Sequence, residues 1–198
     1  MAVLFFRESG PQEPLRAAIL LHGRGSDEED LLPLRDVFSP DTRVLSVRAP
    51  YRWGPGYAWY EMDEYGSPRE SELAASVAGI VEVIEGQPLP VILMGFSQGG
   101  LMAVAAAAHR RGQGVRAVIS LSAPPLPIVG TEQPLSGIPA FWGHGRQDAM
   151  VAPGRGQTMQ EALVQLGAQV TGRQYNMGHT IVNEELDDIK NWLVALKK

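Results

Sequence analysis

The chain has 198 residues, of which 44% are hydrophobic and 20% are charged, and its formal net charge is −5. This composition predicts one soluble globular domain spanning residues 1–198, and the mild acidity argues against nucleic acid or an anionic membrane surface as a partner. The absence of cysteine excludes disulfides, thiolate nucleophiles and cysteine-based zinc sites.

Targeting and metal-binding signals are weak. No apolar run approaches the roughly 20 residues that cross a bilayer, so we expect no stable membrane insertion. The apolar stretch before Arg7 is shorter than the about 7 residues of a secretory h-region, which favours a cytoplasmic protein. The four histidines, at positions 22, 109, 144 and 179, do not pair at metalloprotease spacing. We therefore expect no metal, and the oligomeric state stays open.

Short apolar runs alternate with longer amphipathic ones along the chain. The runs that predict strands cover residues 2–7, 16–22, 43–48, 90–94, 115–121, 138–144 and 168–175. The runs that predict helices cover residues 27–38, 69–85, 98–111, 153–166 and 182–196. This alternation is typical of an α/β fold with a mostly parallel central sheet of about seven strands and helices on both faces. The connections are mostly short, which leaves little room for a large lid.

The stretch GFSQGG, residues 95–100, follows one predicted strand and opens a predicted helix. It matches G-x-S-x-G, the turn that presents a nucleophilic serine at the top of a sheet. Glycines flank the serine because a sharp strand-to-helix turn leaves no space for larger neighbours. Ser97 is therefore the candidate nucleophile, and an ordinary glycine turn is the alternative.

A serine nucleophile needs a histidine base and a carboxylate that orients it. Asp148 and His179 follow Ser97 in the chain order of such folds, each in a loop directly after a predicted strand. Because ligands bind beyond the carboxyl ends of parallel strands, all three residues are expected at one edge of the sheet. Read separately, Asp148 could be a turn residue and His179 a helix-entry residue. His144 precedes Asp148 and is interpreted as a supporting or structural residue.

Ester hydrolysis also requires hydrogen-bond donors for the oxyanion. One donor is expected from the backbone N–H of Gln98, the residue after the nucleophile. The loop HGRGS, residues 22–26, follows an earlier strand, and its glycines let the backbone approach a ligand. The backbone N–H of Arg24 is the second candidate.

Aromatic residues concentrate after the third predicted strand. Six of the nine tyrosines and tryptophans lie between positions 51 and 65. Acyl pockets are mostly apolar, so Trp59, Tyr57 and Met177 are candidates for substrate binding. The alternative is that these side chains pack the loop onto the body of the protein.

Five stretches together resemble the phospholipase/carboxylesterase family of the α/β-hydrolase superfamily, which includes acyl-protein thioesterases. The stretches are LLHGRGSDEED, RAPYRWGPGYAWYE, MGFSQGG, GHGRQDAMV and YNMGHTIVNEEL. The resemblance implies a cofactor-free ester hydrolase with Ser97, Asp148 and His179 as its triad and the N–H groups of Arg24 and Gln98 as oxyanion donors. Relatives often carry an apolar residue in place of Arg24, so its side chain is a candidate for favouring anionic or polar acyl groups.

The sequence is thus interpreted as a serine carboxylesterase that acts on a small ester or thioester of short to medium acyl chain. A thioesterase or lysophospholipase would use the same residues. A dienelactone-hydrolase-like enzyme is disfavoured, because it usually uses a cysteine nucleophile. A binding protein on a hydrolase scaffold is the alternative from another class.

Overall fold

A computed structural model of the protein describes residues 4–64, 67–126 and 131–196. Within these ranges the strands β1 to β9 are Phe6–Ser9, Arg16–Leu21, Thr42–Val47, Tyr51–Trp53, Gly56–Ala58, Val91–Phe96, Val115–Leu121, Pro139–Gly145 and Gln169–Tyr175. The helices α1 to α4 are Glu70–Glu85, Gln98–His109, Pro153–Gln165 and Asn183–Ala195. Tyr65, part of the predicted strand 2–7 and residues 127–130 lie outside the described residues.

The described strands form a seven-stranded sheet and a separate hairpin. The sheet has the order β1-β3-β2-β6-β7-β8-β9, and β4 pairs with β5. Strand β1 is antiparallel to β3, whereas the other neighbours in the large sheet are parallel. The predicted α/β fold with a mostly parallel sheet of about seven strands is therefore confirmed.

Alternating side chains of the buried strands supply both core layers. In β2, Ile19 and Leu21 face the layer that holds residues of α1, α2 and α3. Leu20 points to the other layer, with Ile189 of α4. Helix α2, QGGLMAVAAAAH, is buried along most of its length, because alanine side chains let it lie close to the sheet. This packing fixes the end of α2 that follows Ser97.

The helix predicted over residues 27–38 is wrong except for its final part. The structure has only a 3-10 helix at Leu32–Val37. The Asp27 side chain accepts a hydrogen bond from the Glu29 backbone N–H, which competes with helical pairing. Glu28 turns inward and pairs with Arg48, with its Oε1 2.5 Å from the guanidinium. Pro33, which lacks an N–H donor, lies in the first turn of the 3-10 helix, where no donor is needed.

Two further elements differ from the prediction. The hairpin β4–β5 was not anticipated, because its strands are only three residues long. Among the described residues the first strand begins at Phe6, so residues 4 and 5 of the predicted strand lie outside it, and Phe6 pairs with Val47. Its side chains are largely exposed, as edge strands permit, so its hydrophobic pattern is a poor guide to its bounds.

Candidate active site

The turn between β6 and α2 holds Ser97 in an unusual backbone conformation. Its φ is 55° and its ψ is −121°, a combination that costs a non-glycine residue roughly 1–3 kcal/mol. A Cβ at Gly95 would lie 2.0 Å from the Gly99 carbonyl oxygen, and one at Gly99 would lie 1.9 Å from that of Leu21. Only glycine fits at either position. The Ser97 N–H donates to the Leu121 carbonyl oxygen at 2.8 Å, which fixes the turn to β7.

Ser97, His179 and Asp148 form one hydrogen-bonded line. The Ser97 Oγ lies 3.0 Å from His179 Nε2, and His179 Nδ1 lies 2.7 Å from Asp148 Oδ2. A carboxylate only accepts, so Nδ1 carries the proton when Asp148 is ionised, and Nε2 is left to accept the serine hydroxyl. The structure therefore brings together the three residues in the geometry that lets a histidine deprotonate a serine.

The loop after β8 holds the Asp148 carboxylate rigidly. Its Oδ1 accepts hydrogen bonds from the backbone N–H groups of Met150 at 2.9 Å and Val151 at 2.8 Å. The buried His144 donates from Nε2 to the Val151 carbonyl oxygen at 2.9 Å, and the same nitrogen lies 3.6 Å from Asp148 Oδ2. His144 thus supports the acid loop, in line with the supporting role predicted from the sequence.

Two backbone N–H groups near Ser97 have no partner. Across the described part of the chain, the N–H groups of Arg24 and Gln98 make no hydrogen bond. A Cβ at Gly23 would lie 3.5 Å from the Ser97 Cβ, so the loop 22–26 passes in contact with the serine. Free donors beside a nucleophile are suited to an oxyanion. We call residues 22–26 the oxyanion loop.

The β4–β5 hairpin holds the oxyanion loop from its outer side. Gly25 N–H donates to the Tyr57 carbonyl oxygen at 2.7 Å, and Tyr57 N–H donates to that of Ser26 at 2.8 Å. The Arg24 side chain is exposed, and its guanidinium carbon lies 4.9 Å from the Trp53 ring centre, a cation–π contact. The loop is therefore fixed through its backbone while the Arg24 side chain faces solvent.

Comparisons with known proteins agree on the family. The Phospholipase/Carboxylesterase family profile matches residues 6–197. The chain belongs to the phospholipase/carboxylesterase family. It is 30% identical to carboxylesterase SOBER1 of Arabidopsis thaliana over 151 residues, which are 69% of this chain and 66% of that protein. It is 32% identical to acyl-protein thioesterase 1 of Gibberella zeae over 112 residues, or 54% of this chain and 48% of that protein.

A solved structure supports the same fold. The Bacillus cereus carboxylesterase superposes with a TM-score of 0.87, at 20% identity over 98% of this chain and 95% of that one. The family match confirms the resemblance inferred from the sequence motifs, and this member of the phospholipase/carboxylesterase family is a carboxylic ester hydrolase.

The predicted pocket residues do not form an open pocket in this family member. Trp59 has no exposed surface, which corrects the expectation that it walls the acyl site. Met177 is also buried, and its carbonyl oxygen accepts from the Gln147 N–H at 3.0 Å, so it fills the loop before His179. The half-buried Tyr57 ring makes cation–π contacts with two guanidinium groups, those of Arg48 and Arg52.

Other apolar side chains are exposed around the candidate site. Trp53 is 43% exposed and packs against Gly25 of the oxyanion loop. Met150 is 70% exposed in the loop that carries Asp148. Trp53 is the last residue of β4 and belongs to the aromatic cluster seen in the sequence, whereas no local pattern marks Met150. A groove of about 540 Å³ lies elsewhere, between the 3-10 helix and α4, and none of the triad residues lines it.

Sequence reasoning missed two contacts that shape the site. The Phe96 ring centre lies 4.8 Å from that of His179, and a Cβ at Gly23 would lie 3.2 Å from the same phenyl ring. Phe96 therefore fills the space between the base and the oxyanion loop. His22, the first residue of that loop, is fully buried, and burial lowers its pKa. The position of Phe96 inside G-x-S-x-G was the only available signal.

Helix α4 places a carboxyl group in the core close to the site. Glu185 has no exposed surface and no hydrogen-bond partner among the described residues. A Cβ at Gly143 would lie 2.1 Å from the Glu185 Oε1, so the carboxyl fills the space that a side chain at position 143 would need. Burial, with a smaller contribution from the Asp188 charge, raises the pKa of Glu185 to about 8.

The described residues contain neither a metal-binding cluster nor a helix able to span a membrane. No group of three or more histidine, aspartate or glutamate side chains there is arranged to hold a metal ion. In the same part of the chain, no helix has the length and apolar character needed to cross a membrane.

Proposed function

We propose that the protein is a serine carboxylesterase that hydrolyses esters of short to medium acyl chain through a covalent acyl-enzyme. The observation that carries the proposal is the line of hydrogen bonds from Ser97 through His179 to Asp148, with Ser97 held at a φ of 55°. A ligand-binding protein has no use for a strained serine backed by a base and an oriented carboxylate.

The reaction begins when Ser97 Oγ attacks the ester carbonyl carbon. His179 Nε2 takes the hydroxyl proton, and Asp148 stabilises the resulting imidazolium. The carbonyl oxygen becomes negatively charged, and the free N–H groups of Arg24 and Gln98 stabilise it. The tetrahedral intermediate then collapses, and His179 returns the proton to the leaving alcohol. Water repeats the sequence on the acyl-enzyme and releases the acid.

The substrate size is inferred from the surroundings of Ser97. Its partial exposure indicates an accessible site, and Trp53 and Met150 offer separate apolar surfaces. A short acyl chain needs only such limited contact, whereas a long one needs a continuous apolar channel. This supports short or medium chains.

A thioesterase is the second candidate. The similarity to acyl-protein thioesterase 1 of Gibberella zeae favours it. The same triad would attack a thioester, and His179 would protonate the leaving thiolate. A lysophospholipase would use the same chemistry on a larger substrate.

The proposal is tested with p-nitrophenyl esters from acetate to octanoate, a butyryl thioester and a lysophospholipid. Wild type is expected to act best on acetate to hexanoate, and Ser97→Ala should lose at least about 10³-fold in kcat. Equal rates for wild type and Ser97→Ala would refute the nucleophile. A kcat/KM that is higher for the thioester than for the esters would favour the thioesterase over the esterase.

A further inference from the structure

The side chain of Gln98 makes contacts that the reaction itself does not require. Gln98 begins α2 directly after Ser97, and the residue is only 4% exposed. Its Oε1 accepts from the Trp59 N–H at 3.1 Å, and its Nε2 donates to the Tyr60 carbonyl oxygen at 3.0 Å. Because one partner only donates and the other only accepts, the orientation of the amide is fixed.

Trp59 carries the connection to the other side of the site. Its indole N–H donates to the His22 carbonyl oxygen at 2.8 Å. Its own carbonyl oxygen accepts from the Ser76 hydroxyl of α1 at 2.5 Å, so the backbone of Trp59 is anchored from a third direction. Buried Trp59 therefore lies between the turn that carries Ser97 and the oxyanion loop, not in an acyl pocket.

The His22 ring completes the connection. Its Nε2 accepts from the Ala49 N–H at 3.1 Å, so the proton of the neutral ring is on Nδ1, which donates to the Gly23 carbonyl oxygen at 2.7 Å. That carbonyl and the Arg24 N–H belong to one planar peptide and point in opposite directions. Fixing the carbonyl therefore aims the Arg24 N–H.

We propose that Gln98 is a positioning residue whose side chain sets the spacing and direction of the two oxyanion donors, its own N–H and that of Arg24. The inference rests on the proposed function and deepens it. A series of hydrogen bonds connects the two donors. It runs from the Gln98 side chain to Trp59, from Trp59 to His22, and from the His22 ring to the Gly23 carbonyl oxygen. The geometry must be exact because donors act at 2.7–3.1 Å from the oxyanion, and a 1 Å error costs about 10²-fold in rate.

The first test is Gln98→Met, which keeps the backbone N–H and the approximate shape but loses both side-chain hydrogen bonds. We expect kcat for p-nitrophenyl butyrate to fall about 10- to 100-fold while KM changes less than about threefold. The affinity for a trifluoromethyl ketone, which forms a tetrahedral adduct with the serine, should fall by a factor similar to kcat/KM. The matched control is Gln87→Met, which removes a side-chain bond to the Val83 carbonyl oxygen in α1 and should leave all three values unchanged.

A second variant covers the case in which Gln98→Met folds poorly. Gln98→Glu keeps an acceptor for Trp59 but, when ionised, cannot donate to the Tyr60 carbonyl oxygen. Its protonated carboxyl restores the wild-type pattern of one acceptor and one donor. The ratio of its kcat to that of wild type should therefore rise as the pH falls, which a loss of packing alone would not produce.

Trp59→Phe tests whether the contacts act as one unit. It removes the indole N–H and keeps an aromatic ring. If Gln98 acts through Trp59, the double variant with Gln98→Met should lose less than the product of the two single losses. Independent, multiplicative losses would contradict the proposed connection.

The outcomes separate this inference from the proposed function. If Ser97→Ala is inactive but Gln98→Met keeps kcat and ketone affinity within about twofold of wild type, the role of Gln98 is refuted and the esterase stands. If the ratio of the Gln98→Glu kcat to the wild-type kcat does not change with pH, and KM changes as much as kcat, Gln98 has only a structural role. If Ser97→Ala keeps the wild-type rate, the esterase mechanism fails and the positioning role fails with it.

Discussion

Gly56 of the β4–β5 hairpin lies directly against the backbone of Gly25 in the oxyanion loop. A Cβ at Gly56 would be 2.3 Å from the Gly25 carbonyl oxygen, closer than any real contact. The hairpin can therefore approach the loop and bond to it only because this position has no side chain. The hydrogen bonds between Tyr57 and the loop depend on that approach.

Gly56→Ala is expected to displace the oxyanion loop and lower kcat roughly tenfold or more, because the Arg24 N–H would lose its position. The measurement is steady-state hydrolysis of p-nitrophenyl butyrate. Gly154→Ala is the control, since a Cβ there meets nothing within 4 Å and the position lies in the first turn of α3. Equal kcat values for the two variants would show that the hairpin does not hold the loop.

Asp148→Asn is expected to lower kcat by about 10³- to 10⁴-fold with little change in fold. The oxygen of the new amide must accept from the Met150 and Val151 N–H groups, as Oδ1 does now. Its NH₂ group would then face His179 Nδ1, so the ring proton would move to Nε2 and the base would be lost. Far-UV circular dichroism checks the fold beside the kinetics. A loss below tenfold would exclude Asp148 as the residue that fixes the His179 tautomer.

Glu185→Gln is expected to raise stability at alkaline pH. The pKa of Glu185 lies near 8 in the folded protein, above its ordinary value of 4.5, so the folded state holds the proton more tightly than the unfolded chain. The free energy of unfolding must therefore fall as pH rises from about 4.5 to about 8. Each pKa unit corresponds to about 1.4 kcal/mol, so the variant should gain a few kcal/mol at pH 9 and little at pH 4.5.

Urea unfolding between pH 4.5 and 9 measures this effect. Glu184→Gln, a change in the exposed neighbour, is the control and should follow wild type at each pH. The charge of Asp188, which accepts a hydrogen bond from the Tyr175 hydroxyl at 2.9 Å, also raises the pKa of Glu185. If Glu185→Gln and wild type show the same pH dependence, the buried carboxyl is not the cause.

Arg24→Leu is expected to leave hydrolysis of neutral esters nearly unchanged, because the backbone N–H stays in place. The guanidinium is exposed and has no ion pair among the described residues, so it can attract an acyl chain that ends in a carboxylate. The ratio of kcat/KM for mono-p-nitrophenyl succinate to that for p-nitrophenyl butyrate should fall about two- to fivefold. Arg52→Leu, which removes another exposed charge from the hairpin, is the comparison. An unchanged ratio in Arg24→Leu would mean that the side chain plays no part in selection.

The sheet was predictable because its central strands are buried on both faces and read as unbroken apolar runs. The strand Val115–Leu121 was predicted with its observed bounds. The helix predicted over residues 27–38 was wrong except for its final part. Glu28 instead pairs with Arg48, which follows β3, and no local period of the sequence reveals that contact. The prediction that Trp59 binds substrate failed for a similar reason. Its hydrogen-bond partners, Gln98 and His22, are distant in the chain, so the sequence does not show that it is buried.

Residue order and residue type were enough to predict Ser97, Asp148 and His179 as the triad, since parallel strands bring their carboxyl ends to one edge of the sheet. They also predicted the two oxyanion donors, the backbone N–H groups of Arg24 and Gln98, because glycines mark where the backbone must approach a ligand. Only the tertiary structure decided the 3.0 Å and 2.7 Å contacts of His179, the burial of Glu185 and the hydrogen bonds that join Gln98 to the oxyanion loop. Local patterns follow from the periods of helix and strand, whereas these contacts depend on which distant segments the core packs together.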